Sequence, residues 1–160
     1  MSNEHTEATV HVNGIDLHYA IDGAGPPLLL LHGGTGCHGD WAYAGRDQLA
    51  HEYQLIAPDA RGHDQSTNPP RTLTHRQCAL DTLALLDHLG IARCRAIGVS
   101  MGGNSLLHMA TLQPQRIEAM VMVSATVDFP EQARRIMAAV PVENQPAAEP
   151  PIRLCLQSIS

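Results

Sequence analysis

Between residues 28 and 124, short apolar runs alternate with stretches of helical periodicity, and this alternation restricts the fold more than any other feature. Leu28–Leu31 is four consecutive leucines, and Tyr53–Ala57, Cys94–Val99 and Ile117–Ser124 are further strand-like runs. A run that is apolar without alternation suits a strand covered on both faces, as in parallel sheets. Thr74–Leu89 is the clearest helix. Thr74 and Gln77 have the spacing of a capping box, and Leu73 stands where a hydrophobic staple would. Leu80, Leu83 and Leu86 then recur at helical spacing, and Gly90 follows as a stop signal. Met101–Leu112 reads as a second helix ending before Pro114. The pattern predicts an α/β fold: a mostly parallel sheet with helices on both faces.

The flanks read differently. In Thr9–Ile21, apolar and polar residues alternate on either side of Asn13-Gly14, so an antiparallel β-hairpin is expected at the N-terminus. A short helix is expected around Ala42–His51. After Asp128 the pattern breaks down: Pro130–Val140 could form one amphipathic helix, and Pro141, Pro146, Pro150 and Pro151 then interrupt regular structure. The expected organisation is a core over residues 1–128, followed by a cap-like and irregular segment over 129–160.

Charge and composition narrow the partners. Ten Lys or Arg against sixteen Asp or Glu give a net charge of −6, which disfavours a nucleic-acid binder. No aliphatic run approaches the ~18 residues of a membrane span. The first seven residues are polar and acidic and lack the basic and apolar regions of a signal peptide, so a cytoplasmic protein is expected. None of the four cysteines lies in a C-x-x-C pair, so they are expected to be buried free thiols; no metal and no cofactor is expected.

The chemistry lies in Gly98-Val-Ser-Met-Gly102, a G-x-S-x-G motif between an expected strand and an expected helix. That context forms a sharp turn holding Ser100 in a strained conformation with its hydroxyl exposed, as a nucleophile requires. The flanking glycines avoid crowding the neighbouring strand and helix. A phosphate-binding loop is the alternative, but neither G-x-G-x-x-G nor G-x-x-x-x-G-K-[ST] fits. His32-Gly33-Gly34 follows the four-leucine strand. A serine nucleophile needs two backbone N–H donors for the oxyanion, and Met101 and Gly34 are the candidates, with Gly33 beside them.

With these motifs in hand, the chain resembles the N-terminal part of an α/β-hydrolase-fold enzyme of the esterase, lactonase and peptidase-like branch. The resemblance spans roughly residues 8–140. It rests on His32-Gly-Gly-Thr-Gly, Pro58-Asp-Ala-Arg-Gly-His-Asp-Gln-Ser66 and Gly98-Val-Ser-Met-Gly-Gly103; the second motif departs from the family pattern, which has glycine where Asp64 stands. The resemblance implies Ser100 as nucleophile, a small-molecule ester, lactone, thioester or amide substrate, and a cap beginning near Pro130. Related dehalogenases and epoxide hydrolases carry aspartate at this elbow, and serine at position 100 argues against both. In the family the acid and then the histidine follow the nucleophile. Asp128 is the candidate acid. The only histidine after Ser100 is His108, two turns into the following helix with its ring turned from the hydroxyl. The expectation is a C-terminally truncated member with impaired activity; a non-catalytic binding module and a non-functional gene fragment remain the alternatives. Ala119–Ala125 is then expected to be a sheet edge, open to self-association or to pairing with the tail Ile152–Ile159.

Overall fold

The computed structural model describes residues 5–70, 73–126, 128, 131, 132 and 135. Six strands form one sheet: β1 (His5–Val12), β2 (Ile15–Asp22), β3 (Pro27–Leu31), β4 (Gln54–Pro58), β5 (Cys94–Val99) and β6 (Ile117–Val123), in the order β1-β2-β4-β3-β5-β6. β1 and β2 are the antiparallel hairpin, and β2 pairs antiparallel with β4; β4, β3, β5 and β6 run parallel. Asn13 (φ 49°) and Gly14 (φ 76°) both take positive φ at the hairpin tip, as an Asn-Gly turn favours. The hairpin extends further than its apolar alternation indicates, because its outer end is paired through polar groups. His5 Nδ1 lies 2.7 Å from Asp22 Oδ1.

Two apolar clusters lie on the two faces of the sheet. One holds Leu29, Leu31, Ile56, Leu83, Leu86, Leu106 and Met109, beneath α2 (His75–His88) and α3 (Met101–Leu112). The other holds Leu28, Leu30, Trp41, Leu55 and Ala57. Of the expected helix over 42–51 only a single turn, α1 (Arg46–Leu49), is α-helical, and a 3₁₀ turn, His38–Ala42, precedes it. Gly45, at φ 88°, divides them, because a left-handed residue cannot continue a right-handed helix. At α2 the Thr74 hydroxyl accepts from the Gln77 N–H, but the Gln77 side chain goes forward to Asp81 Oδ1 at 3.2 Å, so the box is half-formed.

β6 is an edge strand among the described residues, with Met120, Val121, Met122 and Val123 all exposed. Glu131, Gln132 and Arg135 are helical; the remainder of the expected 130–140 helix, and the tail 152–159, lie outside the described residues. No helix among the described residues is long and apolar enough to cross a membrane. Cys78 and Cys94 are buried free thiols, whereas Cys37 is only half-buried. Burial pushes all three up to about 11. None is therefore a ready thiolate nucleophile at neutral pH.

Candidate active site

β5 ends at Val99 and α3 begins at Met101, leaving a single residue, Ser100, to turn the chain. It does so at φ 49°, ψ −112°, a conformation open to an L-residue only under strain. The turn is fixed from three directions. The Ser100 N–H donates to Val123 O of β6 at 2.8 Å, and Ser100 O accepts from the Asn104 N–H at 3.0 Å. Asn104, itself buried, accepts the Thr126 N–H on its Oδ1 at 3.1 Å. Ser100 is exposed and its hydroxyl does not cap α3, so it is available to a ligand above the sheet.

The glycines around it are required by space. A Cβ on Gly98 would lie 2.7 Å from the Gly102 carbonyl, and one on Gly102 would lie 2.3 Å from Leu31 O. The helix can thus start against the strands only because neither residue has a side chain. The loop after β3 abuts the elbow: a Cβ built on Gly33 would be 3.8 Å from Ser100 Cβ, and one on Gly34 3.8 Å from Met101 Cβ. Those are ordinary contacts, so, unlike Gly98 and Gly102, Gly34 is not demanded by lack of room. Gly34 is exposed, and among the described residues neither its N–H nor that of Met101 has a protein acceptor.

The loop is held by two histidines. His32 Nε2 accepts from the Ala60 N–H at 2.9 Å, which leaves the proton on Nδ1 to donate to Gly33 O at 2.6 Å. His32 is buried, and burial pushes its pKa down to about 4; it is a neutral structural link, with its accepting nitrogen already engaged. His63 spans the same gap, with Nε2 2.9 Å from Gly34 O and Nδ1 3.0 Å from Arg61 O. Itself a loop residue, it braces the neighbouring loop. Asp64 occupies the position where glycine is usual and adopts φ 41°, which accounts for the glycine and shows that aspartate keeps the turn.

Beneath the loop, Arg61 and Asp81 form a buried bidentate pair, Nε to Oδ2 at 2.6 Å and Nη2 to Oδ1 at 2.9 Å. Asp81 Oδ1 also accepts from Asn13 Nδ2 at 2.9 Å, joining α2, the 59–66 loop and the hairpin tip. Asp59 is fully buried. Its Oδ1 accepts from the His38 N–H at 2.7 Å and faces His38 Nδ1 at 2.9 Å. Burial pushes the Asp59 carboxyl up, but the His38 hydrogen bonds outweigh it and hold it below the usual range. The same hydrogen bond raises the pKa of His38 against the opposing effect of burial. This pair carried no signal in the sequence, since 21 residues separate its members.

A cavity of about 20 Å³ lies behind the elbow, lined by Leu31, His32, Arg61, Asp81, Gly102 and Ser105. It has room for about one water and is far below the ~300 Å³ of a ligand pocket. Ser100 does not line it. Asp128 is exposed, with its backbone N–H and carbonyl both engaged by Thr126 Oγ1. His108 lies eight residues along α3, about 12 Å from Ser100 along the helix axis. The structure does not bring His108 to Ser100.

The family model described as "alpha/beta hydrolase fold" matches residues 26–150, and the chain belongs to that family. Among curated proteins, a soluble epoxide hydrolase of Corynebacterium sp. is 36% identical over 110 residues, covering 69% of this chain and 38% of that protein. The dihydrolipoyllysine-residue acetyltransferase component of the acetoin cleaving system of Pseudomonas putida is 37% identical over 101 residues, 63% of this chain and 27% of that protein. Among solved structures, a hydrolase from Pseudomonas aeruginosa PA01 superposes with a TM-score of 0.76 at 31% identity, covering 82% of this chain and 52% of that one. Est816, an N-acyl homoserine lactone degrading enzyme, superposes at 0.74 with 26% identity, covering 83% and 52%. The chain thus spans little more than a third of the epoxide hydrolase it matches.

Proposed function

We propose that this chain carries the nucleophile half of a hydrolase acting on an acyl carbonyl in an ester, lactone, thioester or amide. The observation that carries this reading is Ser100, strained at the strand–helix junction and exposed beside the unengaged N–H groups of Gly34 and Met101. Attack by Oγ would place a developing oxyanion where those two donors and the N-terminus of α3 favour negative charge. The likeness to epoxide hydrolases supports the fold rather than their reaction. A carboxylate that opens an epoxide leaves an ester, which water can cleave. A serine hydroxyl would leave an ether, which water does not cleave. Serine at position 100 therefore favours acyl chemistry, in keeping with the likeness to Est816, an N-acyl homoserine lactone degrading enzyme.

The acid and the general base are not assembled among the described residues, with Asp128 exposed and His108 remote. An oxyanion site without a base retains ~10³–10⁴-fold acceleration over water in triad knockouts. The 160-residue chain should accordingly hydrolyse p-nitrophenyl acetate above the buffer rate but far below the ~10 s⁻¹ of a typical enzyme, and Ser100→Ala should abolish that excess. A rate unchanged by Ser100→Ala would overturn the assignment and favour a non-catalytic binding module, the reading that the distance of His108 supports.

A further inference from the structure

On the side of the hairpin facing the 3₁₀ turn, three side chains from distant parts of the chain converge. Glu7 comes from β1, His18 from β2 and His38 from the 3₁₀ turn. Both histidines are buried, while the Glu7 carboxylate is partly open to solvent. His18 Nε2 lies 3.4 Å from Glu7 Oε2, and His38 Nε2 lies 3.5 Å from Glu7 Oε1. A charge-assisted hydrogen bond would be shorter, at ~2.7–2.9 Å. The two separations, one to each Glu7 oxygen, are instead near the spacing of ligand atoms around a tetrahedral metal ion, where bonds of ~2.0–2.1 Å give ligand–ligand distances of about 3.3 Å.

The remaining ring nitrogens are held as metal-binding histidines are held, by an oxygen on the far side. His38 Nδ1 faces Asp59 Oδ1 at 2.9 Å, and His18 Nδ1 faces Thr9 Oγ1 at 3.4 Å. Both Nε2 atoms are thereby left facing the Glu7 carboxylate, and one ligand atom from each of the three residues lies within 4.8 Å of the others. Glu7 is steadied by His5, whose Nε2 lies 3.0 Å from Oε1. Gln65 Nε2 lies 3.2 Å from His18 Nε2, so that amide must turn or withdraw to admit an ion. A neighbouring group of Cys37, Asp59 and Asp64 is a poorer candidate, because Asp59 already accepts from His38 through Oδ1 and from the Gln65 N–H through Oδ2.

We propose that Glu7, His18 and His38 form a binding site for a divalent transition-metal ion, zinc foremost, that clamps the N-terminal hairpin to the 3₁₀ turn. Two imidazoles and one carboxylate suit Zn²⁺, Co²⁺ and Ni²⁺ rather than Mg²⁺ or Ca²⁺. The ligands come from three separate segments, so no C-x-x-C or H-x-x-H spacing announces the site, and the sequence alone points to no metal.

The test is titration of the purified full chain with Co²⁺, followed by competition with Zn²⁺. Saturable binding of one equivalent is expected, with the visible bands of tetrahedral Co²⁺ bleached by Zn²⁺, and with a rise in Tm on adding Zn²⁺. Glu7→Gln, at an exposed position, and His38→Gln should each weaken binding at least tenfold, whereas His11→Asn, at an exposed histidine outside the cluster, should not. No saturable binding up to 1 mM (roughly the weak limit for a specific site), or equal binding by Glu7→Gln and wild type, would overturn the proposal. Ester hydrolysis by Ser100 does not enter these readouts.

Discussion

His32 shows how one side chain can do structural work in a place where catalysis would be the first guess. It sits in the loop beside Ser100, yet its Nε2 accepts from a backbone N–H and its proton is committed to Gly33 O. Its folded pKa, about 4, is depressed from the ordinary 6.5 by burial. Between those values the unfolded chain binds the proton and the folded chain does not, so stability rises with pH across that window. The contribution of His32 is whole above pH ~6.5 and is lost as pH falls toward 4, a difference on the order of 3 kcal/mol. Urea unfolding from pH 4 to 7 should show this slope in wild type and lose it in His32→Gln. Parallel slopes in the two proteins would remove this account. At this scale the sequence was informative wherever a residue's role is local. Ser100, Gly98 and Gly102 could be read because the strand–turn–helix pattern around them dictates the backbone. The Asp59–His38 contact and the brace at His63 could not, since each depends on where a distant loop comes to rest.

The elements are joined by polar ties as much as by apolar packing. α2 was legible from its capping residues and leucine spacing, and it forms where expected. What anchors it was not legible: Asp81 points inward, against the amphipathic pattern, to meet Arg61 and Asn13. Both Arg61 and Asp81 are about 2% exposed, so truncating one leaves the other charge buried. Asp81→Ala should cost about 3–5 kcal/mol in chemical denaturation. The double change Arg61→Met/Asp81→Leu should cost less than Asp81→Ala alone, because it removes both charges together. A single change costing under ~1 kcal/mol, the value of an exposed pair, would show that water reaches the guanidinium. The helix expected around 42–51 is shorter, Arg46–Leu49, because Gly45 gives a break that periodicity alone does not weigh.

For the molecule as a whole, the mostly parallel sheet followed from the alternation of elements, and the hairpin from its turn residues, whereas the strand order β1-β2-β4-β3-β5-β6 carries no local signal. The outer boundary of the sheet is where composition and structure conflict. Val121 is 55% exposed and Val123 45%, on a strand whose centre has no charge, proline or bulge to guard it. Self-association through this edge is the expected outcome. Sedimentation velocity of the full chain over a concentration series should show species larger than the monomer, and Val121→Lys should return it to monomer. A wild-type chain that sediments as a monomer throughout would mean that the edge is covered in solution.

That boundary strand also holds the backbone of Ser100. The Ser100 N–H is anchored on Val123 O, and the next turn of α3 reaches Thr126 through Asn104. Fraying is usually harmless at the margin of a sheet, but here it would slacken a strained residue of the strand–helix turn. A neighbour that grips β6 would keep the serine taut, and one that peels it away would let the hydroxyl drift. The rim of the sheet is thus a mechanical handle on the strained turn at Ser100.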